Sequence, residues 1–297
     1  MFKPKINKWR FPKSLMSRGN INNNTMRKIN LFNVVILFAL IMSTSSIYGQ
    51  GGYLNISAGY GFQMSSGNLG NFYIFRTTNS SNTYKQVNLS LGKGFNFGGA
   101  VGLMFNKNIG AELGITYLIG AKSKAQDSYI GGQTDYKLSA RMLRINPSLV
   151  ISAGYKVINP YAKMGVLIGL GSVNEEIVDN AGGDLTEGKI KMNGRFALGA
   201  NAGVGLLCKL NKRFYLFGEL NMINMSYAPT KGKLTEATLN GVDILSHMTT
   251  SDKETEYVDS YTDSQSNPQL DSQPTKAMKV KIPFGSVGAI LGFRICF

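Results

Sequence analysis

Six ionisable side chains, Glu112, Arg144, Lys163, Arg195, Glu219 and Arg294, sit on one parity of segments whose other parity is aliphatic or aromatic. In an extended chain successive side chains point to opposite faces. The six charges therefore share a face with small and polar neighbours. Two readings follow. The carboxylates and cations fill an interior as ion pairs and hydrogen bonds, or they line a narrow polar path for small solutes. A buried charge without a partner is costly, so an unpaired member of the set favours water or a solute. Glu219 and Arg294 fall on neighbouring segments and are the expected pair, with Glu112 and Lys163 in the same layer.

Other chemistry has thinner support. His247 is the only histidine, and Ser246 is its neighbour. Nucleophilic catalysis needs a base within hydrogen-bond reach of the nucleophile and a third group that orients it. Adjacent residues rarely face each other, and this pair lies in a long polar stretch. A solvated loop histidine is expected, and no enzyme. Between Asp243 and Asp271 the acids Asp243, Asp252, Glu254, Glu256, Asp259, Asp263 and Asp271 stand against Lys253 alone. Clustered carboxylates suit calcium, but this spacing matches no EF-hand loop, so a solvated loop is expected, with no metal and no cofactor. Cys208 and Cys296 fall on segments with another between them, about 9–10 Å apart and beyond disulfide reach. Free thiols are expected.

The elements that position these residues are alternating strands over about 53–63, 93–105, 109–119, 139–152, 160–171, 194–207, 213–225 and 285–297. The last is the clearest. Val287, Ala289, Leu291, Phe293, Ile295 and Phe297 alternate with Ser286, Gly288, Ile290, Gly292, Arg294 and Cys296. Such a strand suits a wall with lipid on one side and a packed or wet lumen on the other. Connections alternate in length: 106–108, 153–159 and 208–212 are short, whereas 64–92, 120–138, 172–193 and 226–282 are long. Short turns on one rim and long loops on the other are the pattern of a transmembrane barrel. Asn240-Gly241 between apolar stretches predicts a hairpin, and Gly131-Gly132 and Gly182-Gly183 mark two more. Tyr53, Tyr60, Phe62, Phe95, Tyr117, Phe196, Phe214, Tyr215, Phe293 and Phe297 are expected as interface girdles.

Residues 1–50 read as a basic N-terminal extension plus signal peptide, and 51–297 as the folded part. Met26-Arg27-Lys28 is basic, Val34 to Met42 is an unbroken apolar run, and small and polar residues follow. That run is too short to span a membrane as a helix. Cleavage is expected after Gly49 or Gln50, and Met26 is an alternative start. The first 50 residues carry eight Lys/Arg and no acid, so the formal charge of +15 falls to +7 without them. The remainder shows no basic patch with interleaved aromatics, so no nucleic-acid partner is expected.

The stretches Gly98-Gly99-Ala100-Val101-Gly102-Leu103-Met104-Phe105, Gly110-Ala111-Glu112-Leu113-Gly114, Phe217-Gly218-Glu219-Leu220 and Phe284-Gly285 through Phe297 resemble the small OmpA-like or OmpW-like outer-membrane β-barrel proteins, particularly those of Bacteroidetes-type bacteria. The resemblance covers 51–297. It implies an all-β fold: an eight-stranded antiparallel up-and-down transmembrane barrel with long extracellular loops, a monomer in the outer membrane. Its partners would be outer-membrane lipid, lipopolysaccharide and the assembly machinery, the last through a C-terminal signal at Phe293, Ile295 and Phe297. No peptidoglycan-binding domain is expected after Phe297. The expected role is structural or surface-exposed, adhesion or recognition through the extracellular loops. The alternative is a narrow channel for small or apolar solutes. A lipid-modifying enzyme is a remote third, disfavoured by the lone histidine.

Overall fold

The computed structural model describes residues 51–64, 72–78, 81–87, 90–262 and 270–297, with the backbone alone for 72–78 and 81–87. The expected signal peptide, its cleavage site and Asp263 lie outside the described residues. The strands in chain order are β1 (Gly52–Gln63), β2 (Phe72–Thr78), β3 (Ser81–Val87), β4 (Gly94–Met104), β5 (Ile109–Gly120), β6 (Ser123–Tyr129), β7 (Gly132–Ser152), β8 (Ile158–Ala181) and β9 (Asp184–Asn193). They continue with β10 (Ala197–Lys209), β11 (Phe214–Tyr227), β12 (Lys231–Leu239), β13 (Val242–Asp243), β14 (Glu254–Val258), β15 (Thr275–Met278), β16 (Ile282–Pro283) and β17 (Ser286–Cys296). Among the described residues a 3-10 turn at Leu245–His247 and a short helix, α1 (Thr250–Lys253), precede β14.

Antiparallel ladders link β1 to β4, β4 to β5, β5 to β7 and β7 to β8. They continue from β8 to β10, β10 to β11, β11 to β17 and β17 back to β1. The circuit closes, which leaves no unpaired strand edge in this ring. Pro147 interrupts one ladder: β7 pairs with β8 up to Ile145 and again from Ser148, because proline offers no N–H.

The period-2 pattern is turned inside out relative to a water-soluble barrel. Leu291 is 68% exposed and Leu220 62%, whereas Arg144 is 1% and Leu118 0%. Ile56, Phe62, Phe97, Val166 and Val204 join the exposed apolar exterior. An apolar surface of that extent matches a lipid environment. Tyr60 packs edge-on against Phe62 and Phe95, at centroid distances of 5.2 and 4.9 Å, as part of an aromatic patch on β1 and β4. No helix among the described residues is long and apolar enough to cross a membrane, which says nothing of strands.

The long connections 120–138, 172–193 and 226–282 carry the expected hairpins, at Gly131-Gly132, Gly182-Gly183 and Asn240-Gly241. β7 and β8 run on well past the ring and pair from Ile145↔Ile168 up to Gly132↔Ala181. β6 pairs with β7, β9 with β8, and β12 with β9, which builds a sheet extension on one rim. The two-residue turns between β8 and β9 and between β12 and β13 use Gly182-Gly183 and Asn240-Gly241, all at positive φ. β14 and β15 pair in parallel. Finally, β10 begins at Ala197, not at 194. Gly194, at φ 137°, breaks the strand, so Arg195 is exposed in the connection and is no lumen residue.

Candidate functional site

Seen from the rim with the short turns, the interior begins as a cavity of about 240 Å³ lined by Met104, Ser152 and Tyr215 among others, with Tyr53, Tyr161 and Arg294 also on its wall. These last three lead into a layer of charges. Lys163 Nζ lies 2.9 Å from Glu219 Oε2 and 3.3 Å from Glu112 Oε1. Glu112 Oε2 accepts from Tyr53 OH at 3.0 Å and from Asn55 Nδ2 at 2.8 Å. Glu219 Oε2 accepts from Tyr161 OH at 2.9 Å. Arg294 donates from Nε to Asn55 Oδ1 at 2.8 Å and holds Glu112 more loosely, at 3.7 Å. Its guanidinium stacks 3.7 Å from the Tyr53 ring centroid. Five strands, β1, β5, β8, β11 and β17, are thus tied across the lumen by charge-assisted hydrogen bonds, which are stronger than neutral ones.

Glycine makes room for this layer. The Tyr53 ring covers Gly102 and the Tyr161 ring covers Gly205, so a Cβ at either glycine would collide with the aromatic. A Cβ at Gly203 would meet the Glu219 carboxylate at 2.9 Å. That glycine lets Lys163 on β8 reach Glu219 on β11 across the intervening β10, where the three pair in order.

The expected Glu219–Arg294 pair does not form. β11 and β17 are neighbours, but Arg294 stands opposite Tyr215 and Glu219 opposite Ile290. Four residues of offset is about 13 Å at strand rise. Tyr53, expected in a girdle, points inward and is 3% exposed. It shares the parity of Asn55, and Tyr161 that of Lys163, so the pattern held the signal for all three. Arg144 is buried apart from the charge layer. Its Nη1 donates to Asn96 Oδ1 at 3.0 Å, and its Nε and Nη2 have no partner among the described residues.

Beyond Arg144 the interior turns apolar. Leu118, Met142, Leu167, Ile223 and Met225 pack with Leu91 and Phe284, which enter from the segments before β4 and β17. Those segments are laced together: Leu91 N donates to Pro283 O, Ser90 Oγ to Gly285 O, and Phe284 N to Met225 O. Tyr227 meets Phe284 edge-on at 6.1 Å. An apolar layer inside the lumen was not expected, although its strand residues occupy inward parity.

On the extended rim, Glu175 is buried, and burial pushes its carboxyl up to about 7. Burial also pushes up the Tyr257 hydroxyl, with the nearby Glu175 carboxylate adding to the shift. The acidic stretch spends its carboxylates singly. Asp252 closes the capping box of α1, Glu254 pairs with Lys233, and Asp259 pairs with Lys279. Among the described residues no three of His, Cys, Asp and Glu gather to hold a metal. Ser246 and His247 are exposed. Cys208 and Cys296 are free. Phe293 and Phe297, expected to form a C-terminal assembly signal, lie exposed on the apolar exterior, with Ile295 half-buried between them.

No curated protein matches the chain. Among solved structures, the outer membrane protein OprG from Pseudomonas aeruginosa is 11% identical, with 84% of this chain and 97% of that one covered, at a TM-score of 0.39. AlkL, solved in DMPC lipid bilayers, is 14% identical, with 93% and 97% covered, at 0.33. CarO of Acinetobacter baumannii is 13% identical, with 85% and 100% covered, at 0.28. These likenesses are distant, and no inference rests on them. The model of the outer membrane protein beta-barrel domain matches residues 32–243, more than half of the chain. With its closed ring and apolar exterior, this all-β chain is an outer-membrane protein and belongs to the outer membrane protein β-barrel domain family.

Proposed function

We propose that this chain is a closed outer-membrane barrel whose work is done by its extracellular extension. β1, β4, β5, β7, β8, β10, β11 and β17 form an eight-stranded transmembrane wall, with the short turns periplasmic and β6, β9, β12, β14 and β15 on the outside of the cell. Its outer face meets lipid and lipopolysaccharide as a monomer, and the assembly machinery reads the exposed Phe293 and Phe297. Its role is structural and surface-exposed, with recognition by the extension. No catalytic role falls to Ser246 or His247.

One observation carries this reading: the lumen is filled at two separate levels. The charge layer of Glu112, Lys163, Glu219 and Arg294 blocks one, and Leu91 and Phe284 among the inward apolar side chains block the other. Side chains fill a ring of this size. The test is reconstitution of the refolded protein in planar bilayers. A closed barrel gives no discrete current steps, and reproducible steps in the unaltered protein overturn the reading.

A further inference from the structure

Arg144 is the one buried charge of the ring whose guanidinium, among the described residues, meets no carboxylate. It is 1% exposed, and an uncompensated buried charge costs several kcal/mol. The nearest candidates are out of reach. Arg144 pairs with Thr116 on β5 and with Gly169 on β8. Glu112 lies four residues from Thr116, about 13 Å along the strand, and Glu175 lies six residues from Gly169, about 20 Å. Both ring carboxylates are already engaged by Lys163, and Arg294 leans on one of them. Glu112 and Glu219 set against Lys163, Arg294 and Arg144 leave the ring interior with one uncompensated positive charge.

The unpartnered atoms are also arranged. Asn96 anchors Nη1, which leaves Nε and Nη2 empty-handed. Those two N–H groups lie on the same edge of the guanidinium, and that edge is the fork that engages a carboxylate through two parallel hydrogen bonds. Among the inward positions between Arg144 and the charge layer, Ser57, Gly98, Ala100 and Gly114 on β1, β4 and β5 are small, while Asn146 on β7 and Asn201 on β10 are polar. A Cβ at Gly114 would find nothing closer than 3.6 Å.

We propose that the Nε–Nη2 edge of Arg144 is a binding site for a small monocarboxylate held inside the barrel. This goes beyond the closed-barrel reading and does not depend on how the ligand enters. The test refolds the full protein into detergent micelles in sodium formate or in sodium chloride at equal ionic strength, and follows unfolding by circular dichroism. A ligand held by the native state alone raises the unfolding midpoint by mass action. For the unaltered protein the expected rise in formate over chloride is roughly 2–4 °C and grows with the logarithm of formate concentration above the dissociation constant. Arg144→Met loses the formate response. Arg144→Lys keeps the charge without the fork, so formate and chloride become equivalent. If Arg144→Met does not fold, the Arg144→Lys comparison decides. Equal midpoints in the two salts for the unaltered protein, or a formate response kept by Arg144→Lys, overturn the proposal.

Discussion

Removal of the Lys163 ammonium tests the charge layer most directly. Lys163→Met keeps the stem of the side chain and deletes the cation between Glu219 at 2.9 Å and Glu112 at 3.3 Å. With an effective dielectric near 20, each contact is worth about 5 kcal/mol of Coulomb attraction, most of it offset by desolvation. Breaking a buried pair by removing one partner costs about 3–5 kcal/mol. Here two carboxylates lose their shared cation, and only Glu112 keeps another, Arg294 at 3.7 Å. The expected loss is therefore at the upper end, about 5 kcal/mol. Adding Glu219→Gln neutralises the carboxylate left bare and keeps a partner for the Tyr161 hydroxyl. The double variant should regain at least half of the loss. Urea titration of the protein refolded into lipid vesicles, followed by circular dichroism, measures both. A cost below about 1 kcal/mol for Lys163→Met, the scale of a solvated pair, would refute the claim that this layer is desolvated and blocks the lumen.

Three further outcomes follow from the same structure. The Glu175 carboxyl sits at about 7 instead of its ordinary 4.5, so the folded extension binds the proton more tightly than the unfolded chain. Stability is then greatest below about pH 4.5 and falls as pH rises to about 7, by about 3 kcal/mol in all. Hydrogen exchange in β8 and β9 should quicken over that window, and Glu175→Gln should abolish the dependence. Phe284→Ala should cost about 3–5 kcal/mol and empty the apolar layer without touching the charge layer. If both layers block the lumen, single-channel recordings of this variant still show no steps. Gly102→Ala drives a methyl into the Tyr53 ring and should cost about 1–3 kcal/mol. In a Tyr53→Phe background that penalty should change, because the two sites are in contact.

Parity made much of the site legible. Side chains on a strand alternate strictly, so Glu112, Arg144, Lys163, Glu219 and Arg294 share an inward phase that any reader of the pattern recovers. Partner choice was not legible. It depends on the stagger between strands, and the four-residue offset that parts Glu219 from Arg294 has no trace in either strand alone. Arg195 had the right phase but the wrong backbone, since Gly194 ends the regular strand before it. Leu91 and Phe284 lie outside the ring strands and enter the lumen through contacts made with each other's segments. Pairing over so long a separation leaves no local mark. The rim extension was legible at its turns, Gly131-Gly132, Gly182-Gly183 and Asn240-Gly241, but less so along its strands, where polar residues such as Glu175 interrupt the buried apolar face of Val173, Ile177 and Leu234.

The pairing of β1 with β17 has a consequence for how the molecule comes into being. Asn55 and Arg294 are hydrogen-bonded across a sequence separation of 239 residues, and Phe297 N donates to Gly52 O at 2.9 Å. Until that seam is made, β1 and β17 each carry a free backbone edge, the kind that recruits foreign strands. Contacts this remote in sequence also slow folding, because the intervening chain must be ordered before they repay it. The chain is thus most vulnerable to aggregation in the interval before its two ends meet, and the same few residues that seal the wall set the length of that interval.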